Sequence, residues 1–250
     1  MLFRFIKKFF FHPKKPLIIA HRGASGTEPE NTLRAFKAAH KAGADGIELD
    51  VMHSRDGKVV VTHDANAQRL AGVNKDVIKL NYAELSRLDF GKGERIPLLE
   101  EVLDHFLSKF SVINIEIKPT LFSGGIESHV AELIKKFKCE KKIVVSSFFP
   151  VHIRRVKALV PNVRVGYLLS ASQGFVIKHK LAMQWSKPDQ LHLDYKLFNK
   201  PTDKRAFELP KPKWVWTVND DDLMRFWVAQ PVEALITNFP ENLVRIRNAQ

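Results

Sequence analysis

Two histidines follow apolar runs that are typical of buried strands. His21 ends the run at residues 17–20 and stands beside Arg22, and His63 ends the run at residues 59–62. An imidazole takes or gives a proton near neutral pH, so two of them can divide general-base and general-acid work, each worth about 10²–10⁴ in rate. A lone histidine at such a place is more often a hydrogen-bonded core residue. Their parallel placement favours a functional pair.

Three carboxylates fall on other predicted strands. Glu48 and Asp50 are two residues apart, so their side chains share one face of a strand. Crowded carboxylates repel each other unless a cation lies between them, and oxygen-only ligands suit Mg²⁺ or Ca²⁺ better than Zn²⁺. Glu116 and Lys118 repeat the spacing on another strand. Apolar neighbours make an edge strand with surface carboxylates the weaker interpretation.

Four further residues complete the candidate site. Arg22 and Lys118 can neutralise a phosphodiester, and arginine can do so with two parallel hydrogen bonds. Trp216 and Asn219 follow a late strand and are candidate pocket walls, although polar residues often end strands without any function. The combined inventory predicts a site that binds one divalent cation and cleaves a phosphate ester.

Alternating strands and helices must position these groups. Such alternation is typical of repeated βα units around a parallel sheet. About eight strands in the roughly 235 residues after the N-terminal segment predict a TIM (β/α)₈ barrel, whose active site lies at the carboxyl ends of its strands. A doubly wound open sheet is the alternative, but neither G-x-G-x-x-G nor G-x-x-x-x-G-K-[ST] follows a strand. The predicted strands are 17–20, 46–51, 59–62, 112–117, 143–146, 163–169, 190–193, 214–218 and 234–236, and the predicted helices 32–42, 98–107, 126–137, 151–159, 221–228 and 242–247.

The predicted barrel is one domain, residues 16–250, with a small insertion after the second βα region. Glycine and proline punctuation interrupts the alternation at about 65–109, and this stretch ends in the helix predicted at 98–107. Asn31 is the predicted N-cap of the first helix.

Composition limits the partners without choosing one. The net charge of +13, from 40 basic and 27 acidic residues, favours anionic partners such as phosphorylated metabolites, anionic lipid or nucleic acid. No aromatic and basic stripe is evident, so we expect no nucleic-acid partner. Cys139 is the single cysteine, which excludes an internal disulfide and fits a reducing, cytoplasmic location.

Residues 1–15 form a basic segment with five positive charges and no acid. It lacks the apolar core and cleavage site of a signal peptide and is too short to span a bilayer. On a helix, the apolar residues among 2–10 would share one face, as in a helix lying on an anionic membrane. Two interpretations stay open: peripheral contact with the inner face of the membrane through residues 2–10, or apolar residues that plug one end of the domain.

Six motifs in order resemble the glycerophosphodiester phosphodiesterase family over about residues 17–240. The resemblance implies a TIM barrel with a small insertion after the strand that ends at His63. The motifs are His21-Arg22-Gly23, Pro29-Glu30-Asn31-Thr32, Glu48-Leu49-Asp50-Val51, His63-Asp64, Glu116-Ile117-Lys118 and Trp216-Thr217-Val218-Asn219.

The resemblance also implies an activity, which is metal-dependent hydrolysis of small glycerophosphodiesters to glycerol 3-phosphate and an alcohol. In the mechanism generally proposed for the family, the glycerol 2-hydroxyl attacks phosphorus, and water opens the resulting cyclic phosphate. The resemblance assigns the divalent cation to Glu48, Asp50 and Glu116, the acid/base pair to His21 and His63, and phosphate contacts to Arg22 and Lys118.

One residue departs from the family pattern. The family usually has Thr-Asp before its final proline, whereas this chain has Thr237 followed by Asn238. We expect this change to affect a pocket wall or the docking of the last helix, and to leave the metal and acid/base groups untouched. Seven further histidines carry no motif and are predicted at the surface, namely His12, His40, His53, His105, His129, His152 and His179.

Two alternative functions are also consistent with the sequence. A lysophospholipase D on the same scaffold would cleave substrates that keep one acyl chain, and the amphipathic N-terminus favours it. A non-catalytic module that binds anionic lipid through its charge is the second, but such a module has little use for five converging catalytic groups.

Overall fold

Strands and helices alternate along most of the chain. The computed structural model describes residues 15–118, 125–172, 177–199 and 205–250. The strands are β1 Leu17–His21, β2 Gly46–His53, β3 Val59–Val61, β4 Val112–Ile117, β5 Ile143–Ser147, β6 Arg164–Leu169, β7 Gln190–Asp194, β8 Lys213–Trp216 and β9 Ala234–Thr237. The helices are α1 Leu33–Lys41, α2 Gln68–Ala71, α3 Tyr82–Leu85, α4 Leu99–Phe106, α5 Ile126–Lys136, α6 Pro150–Leu159, α7 Ile177–Ser186, α8 Arg205–Glu208, α9 Asp221–Val228 and α10 Pro240–Ala249.

Eight of the strands form a closed parallel barrel. They follow one another in the order β1, β2, β4, β5, β6, β7, β8 and β9, and β1 pairs with both β2 and β9, which closes the ring. The strand β3 pairs antiparallel with the far end of β2 and lies outside the ring. The TIM barrel prediction is confirmed, and the open doubly wound sheet is excluded.

Apolar and polar side chains alternate along the strands and face opposite sides of the barrel wall. Ile47, Leu49 and Val51 of β2 belong to the main hydrophobic core, which lies between the barrel and its helices. Their neighbours Glu48 and Asp50 point the other way because successive strand residues face opposite sides. The same alternation holds on β4, where apolar residues join that core and polar residues alternate with them.

A separate apolar cluster fills the barrel interior. Its members lie nearer the amino ends of the strands than the polar groups that follow, so the polar groups gather at the carboxyl ends. The cluster consists of Ile19, Val112, Val144, Trp214, Ala234 and Ile236.

The segment between β3 and α4 has a core of its own. It contains α2, a single 3₁₀ turn at Val77–Lys79, and α3. Its apolar residues pack on Met52 of β2 and Val60 of β3. They form a hydrophobic cluster separate from the main core. By contrast, α4 packs its buried face into the main core. The insertion predicted at about 65–109 therefore included one helix too many, because α4 serves the barrel; we call residues 65–98 the insertion.

Several local expectations were wrong. Thr32, and not Asn31, caps α1: its side chain accepts a hydrogen bond from the Ala35 amide at 3.2 Å. The helix α7 was not predicted. The strand β2 runs two residues further, to His53.

The predicted membrane-contacting segment, residues 2–10, lies outside the described residues. Within the described ranges, no helix is both long enough and apolar enough to cross a membrane.

Candidate active site

The turn after β1 places Arg22 against Glu48. Gly23 has a φ of +82°, and a Cβ there would lie 2.6 Å from the Ala35 carbonyl carbon, so no other residue fits without a shift. Arg22 has a φ of +56°, a left-handed conformation that costs a non-glycine residue about 1–2 kcal/mol. Its amide is 2.9 Å from the Glu48 carbonyl oxygen and 3.0 Å from Glu48 Oε2, and can donate to either. These contacts fix the turn over the barrel mouth.

Glu48, Asp50 and Glu116 come together as predicted. All three are buried, and one ligand oxygen from each lies within 4.8 Å of the others. Lys118 Nζ is 2.7 Å from Glu116 Oε1 and 3.2 Å from Asp50 Oδ1, and Arg22 Nε is 3.2 Å from Asp50 Oδ2. Three carboxyl groups therefore face two basic side chains.

The carboxylates differ in their affinity for protons. Burial, together with Asp50 and Glu116, raises the pKa of Glu48 well above its usual range. Burial raises the pKa of Glu116 to about 7, although Lys118 opposes the shift. Burial also raises the pKa of Asp50, but Lys118 and Arg22 outweigh it and hold that pKa below its usual value. Burial therefore disfavours ionisation of Glu48 and Glu116, and Asp50 Oδ1 has the ion pair with Lys118 but no well-oriented hydrogen bond among the described residues.

His21 takes a partner that was not predicted for it. Its Nδ1 lies 2.7 Å from Asn238 Oδ1, so Nδ1–H donates to the amide oxygen, while Nε2 is 3.9 Å from Glu48 Oε2. The expectation that Asn238 leaves the acid/base groups untouched is wrong, since the β9 turn brings it directly against His21. Burial, helped by Arg22, lowers the pKa of His21 to about 4.

His63 is oriented by its sequence neighbour. Its Nδ1 lies 2.6 Å from Asp64 Oδ1, so Nε2 is left for the pocket. Arg69, from α2, donates through Nε to Asp64 Oδ2 at 2.5 Å. Burial lowers the pKa of His63, although Asp50 opposes the shift. In each histidine, therefore, Nδ1 is engaged in a hydrogen bond and Nε2 is left for proton transfer.

The motif at residues 29–32 supports this site. Arg22 Nη1 donates to Glu30 Oε1 at 2.9 Å, and Asn31 Nδ2 donates to Asp50 Oδ2 at 2.9 Å. The second bond explains why Asn31 does not cap α1: its side chain orients a carboxylate of the cluster. Glu30 carried no predicted role, and its place in the motif at residues 29–32 was the only signal for one.

The two predicted wall residues have different places. Trp216 lines the pocket, with its ring centroid 5.9 Å from that of Phe148. Asn219 does not line it. Its Oδ1 accepts a hydrogen bond from the Asn238 amide at 2.9 Å, so it supports the turn that carries the partner of His21.

The site opens into a pocket of about 190 Å³. Both candidate histidines and both candidate phosphate ligands line it, together with an apolar wall of Phe148, Leu168, Trp216 and Ile236.

His192 also lines this pocket and was missed by the sequence analysis. It lies on β7 two residues after Gln190, whose amide nitrogen is 2.7 Å from His192 Nε2. Its alternation with apolar Leu191 and Leu193 was the available signal. Two of the histidines predicted at the surface are also buried: His53 pairs with His129, and His152 with Glu127.

Comparison with known proteins identifies the family. The profile of the Glycerophosphoryl diester phosphodiesterase family matches residues 21–242. The chain belongs to this family. It is accordingly an enzyme, a phosphoric diester hydrolase, and its TIM barrel is the fold of its structural neighbours in the glycerophosphoryl diester phosphodiesterase family.

Individual relatives agree with this placement. A glycerophosphodiester phosphodiesterase of Caldanaerobacter subterraneus subsp. tengcongensis is 35% identical over 246 residues, which cover 93% of this chain and 98% of the relative. The structure of an Oleispira antarctica phosphodiesterase in complex with the product sn-glycerol-3-phosphate is 27% identical, with a TM-score of 0.81 and coverage of 93% and 97%. The human lysophospholipase D GDPD1 is 40% identical over 135 residues, 49% of this chain and 42% of that protein.

Proposed function

We propose that this chain hydrolyses glycerophosphodiesters to glycerol 3-phosphate and an alcohol, with one divalent cation and two catalytic histidines. The observation that carries the proposal is the convergence of His21, His63, Arg22 and Lys118 on one pocket above a buried carboxylate cluster. The product-bound Oleispira antarctica relative supports the choice of substrate class.

The carboxylate cluster fits a divalent cation. Glu48, Asp50 and Glu116 offer oxygen ligands alone, which suits Mg²⁺ or Ca²⁺. Burial raises the pKa values of Glu48 and Glu116, with the neighbouring carboxylates adding to the shift, and a bound cation would favour the ionised forms. With the ion, Glu48, Asp50, Glu116, Arg22 and Lys118 together would carry one net positive charge, which matches the charge of a phosphodiester monoanion. When bound, the ion would lower the pKa of a substrate hydroxyl and stabilise charge on the phosphate.

The histidines would move the protons. One Nε2 takes the proton of the glycerol 2-hydroxyl as its oxygen attacks phosphorus, and the other protonates the departing alcohol. Water then opens the cyclic phosphate with the two roles reversed. Arg22 and Lys118 hold the phosphate oxygens during both steps.

Release of glycerol 3-phosphate from glycerophosphocholine tests this assignment. His21→Ala and His63→Ala should each lower kcat by about 10²–10⁴-fold. Glu48→Gln and, in a separate measurement, removal of the cation with a chelator should each abolish the cation-dependent rate. His105→Ala, at a half-exposed position on α4, is the matched control and should leave the rate unchanged. Undiminished release in the histidine variants and in chelator would show that the site is wrong. Adding back Mg²⁺ or Ca²⁺ separately identifies the native ion.

A lysophospholipase D activity is the second candidate. The human relative of that name and the apolar wall beside the phosphate site favour it, because an acyl chain needs apolar surface. Turnover of lysophosphatidylcholine and glycerophosphocholine at equal concentration decides between the two. A strong preference for the acylated substrate would replace the first proposal by the second.

We also propose peripheral contact of residues 2–10 with anionic membrane. The support is the five basic residues of segment 1–15, three of which lie within residues 2–10, and the apolar face that residues 2–10 would present as a helix. Full-length protein should sediment with vesicles containing phosphatidylserine, and a variant lacking residues 1–15 should stay in solution. Equal sedimentation of the two rejects the contact.

A further inference from the structure

One guanidinium of the insertion joins both sides of the proposed active site. Arg69 donates through Nε to Asp64, and through Nη1 and Nη2 to Glu30 Oε2 and Oε1 at 3.0 and 2.7 Å. Its planar fork therefore holds one carboxylate along each of two edges. A lysine ammonium is a single point charge and cannot reproduce this arrangement.

On one side, Arg69 fixes the partner of His63. Asp64 divides its oxygens: Oδ1 accepts from His63 Nδ1 at 2.6 Å, and Oδ2 accepts from Arg69. A rotation of the Asp64 carboxylate away from the imidazole would break both bonds. Arg69 therefore restrains the group that sets which His63 nitrogen carries the hydrogen.

On the other side, Arg69 balances the partner of Arg22. Glu30 Oε1 accepts from Arg22 Nη1 at 2.9 Å as well as from Arg69 Nη2. Without Arg69, the charge of Glu30 would act on Arg22 alone and draw it from Asp50, which lies 3.2 Å from its Nε. Glu30 and Asp64 would also face each other with no cation between them.

Direct contact of Arg69 with substrate does not account for this geometry. Arg69 is absent from the residues that line the pocket, whereas Arg22 and Lys118 are present. Its hydrogen bonds go to carboxylates that themselves hold pocket residues. A structural role alone is also a poor account, because a half-exposed ion pair contributes only about 0–1 kcal/mol.

We propose that Arg69 is a positioning residue through which the insertion sets the acid/base step. It holds Asp64 against His63 and Glu30 in balance with Arg22, so that the insertion and the barrel form one site. The proposal rests on the proposed function, since it assumes that His63 transfers a proton.

Variants of Arg69, assayed by glycerol 3-phosphate release, test the proposal. Arg69→Ala should lower kcat by about 100-fold, the scale expected for a misplaced catalytic group, with KM changed only a few-fold. Arg69→Lys should recover part of the loss, and millimolar methylguanidinium should restore activity to Arg69→Ala. Arg55→Ala is the matched control: Arg55 lies in the turn between β2 and β3, is half exposed, pairs with Glu84 of the insertion, and should leave kcat unchanged.

A double-mutant cycle shows whether Arg69 acts through Asp64. The pair Asp64→Asn with Arg69→Ala should lose less kcat than the product of the two single losses, because only the part that passes through Glu30 and Arg22 is left for the second substitution to remove. Additive losses, or Arg69→Ala with kcat within twofold of the wild type, would overturn the proposal. If Arg69→Ala unfolds at a lower temperature than the wild type, the kcat of Arg69→Lys tests the proposal instead. A wild-type kcat in Arg69→Lys, which keeps the charge but not the fork of hydrogen bonds, would also overturn the proposal.

The same assay separates this proposal from the proposed function. If His63→Ala retains activity, the proposed function fails. If His63→Ala is inactive while Arg69→Ala matches the wild type, only the positioning role fails.

Discussion

Asn238 and Asp64 give the two histidines unlike partners. His21 donates to a neutral amide oxygen, and His63 to a carboxylate that Arg69 holds in place. A carboxylate stabilises a protonated imidazole more than an amide does. The two imidazoles therefore differ in proton affinity although each presents Nε2 to the pocket.

Substitution of Asn238 should change that balance in a defined direction. Asn238→Asp places a negative charge beside His21 and should raise its pKa above about 4, so that the imidazolium persists to higher pH. Profiles of kcat/KM against pH, with NMR titration of the imidazole, measure the shift. Asn74→Asp adds the same charge at an exposed loop position as a control. An unmoved His21 titration would contradict the hydrogen bond.

The carboxylate cluster predicts how cation binding depends on pH. The raised pKa of Glu116 means that the cation-free protein loses stability from this group as pH rises from 4.5 to about 7. A divalent cation needs the ionised form, so its stabilising effect should be small at low pH and grow through about pH 7. Melting temperatures with and without Mg²⁺ or Ca²⁺ measure this, and Glu116→Gln should flatten the trend. An increment independent of pH would contradict the assigned ligands.

At the scale of elements, strand-end motifs were predictable and their partners were not. Glu48, Asp50, His21 and Glu116 could be placed from periodicity, because a strand fixes which side chains share a face. The role of Asn31 needed the position of Asp50, nineteen residues further along the chain. The contact of Asn238 with His21 spans 217 residues and exists only once the barrel closes.

The insertion, too, was predictable from the sequence while the contacts of its residues were not. Its glycine and proline content marked an interruption of the βα rhythm. Nothing in the sequence distinguishes Arg69 from its many exposed basic neighbours, because its importance lies in the two carboxylates that the fold brings to it. The helix α7 escaped prediction because its polar and apolar residues show little helical segregation.

The turn after β1 gives a prediction about stability. Gly23→Ala combines a left-handed backbone with a collision against Ala35, whereas Gly57→Ala has a φ of +74° and open space around the new Cβ. We expect Gly57→Ala to cost about 1 kcal/mol and Gly23→Ala distinctly more. Urea unfolding of both variants isolates the steric contribution. Equal losses would contradict the close contact between the turn and α1.

For the whole molecule, the surplus of positive charge predicts how salt affects turnover. A net charge of +13 should raise the local concentration of anionic substrates at low ionic strength. Added NaCl should therefore lower kcat/KM for glycerophosphoinositol, a net anion, more than for zwitterionic glycerophosphocholine, and change kcat little. Equal salt dependence for the two substrates would show that long-range attraction plays no part.

The charge balance of the pocket also bears on product inhibition. Three carboxylates, two basic residues and the proposed divalent cation would together match a diester with one negative charge. Hydrolysis converts this diester into a monoester that carries nearly two negative charges above pH about 6. The pocket is then one positive charge short for its own product, so electrostatics assists departure of glycerol 3-phosphate. At saturating divalent cation, retention of the product should strengthen below pH 6, where the monoester regains a proton and resembles the substrate in charge.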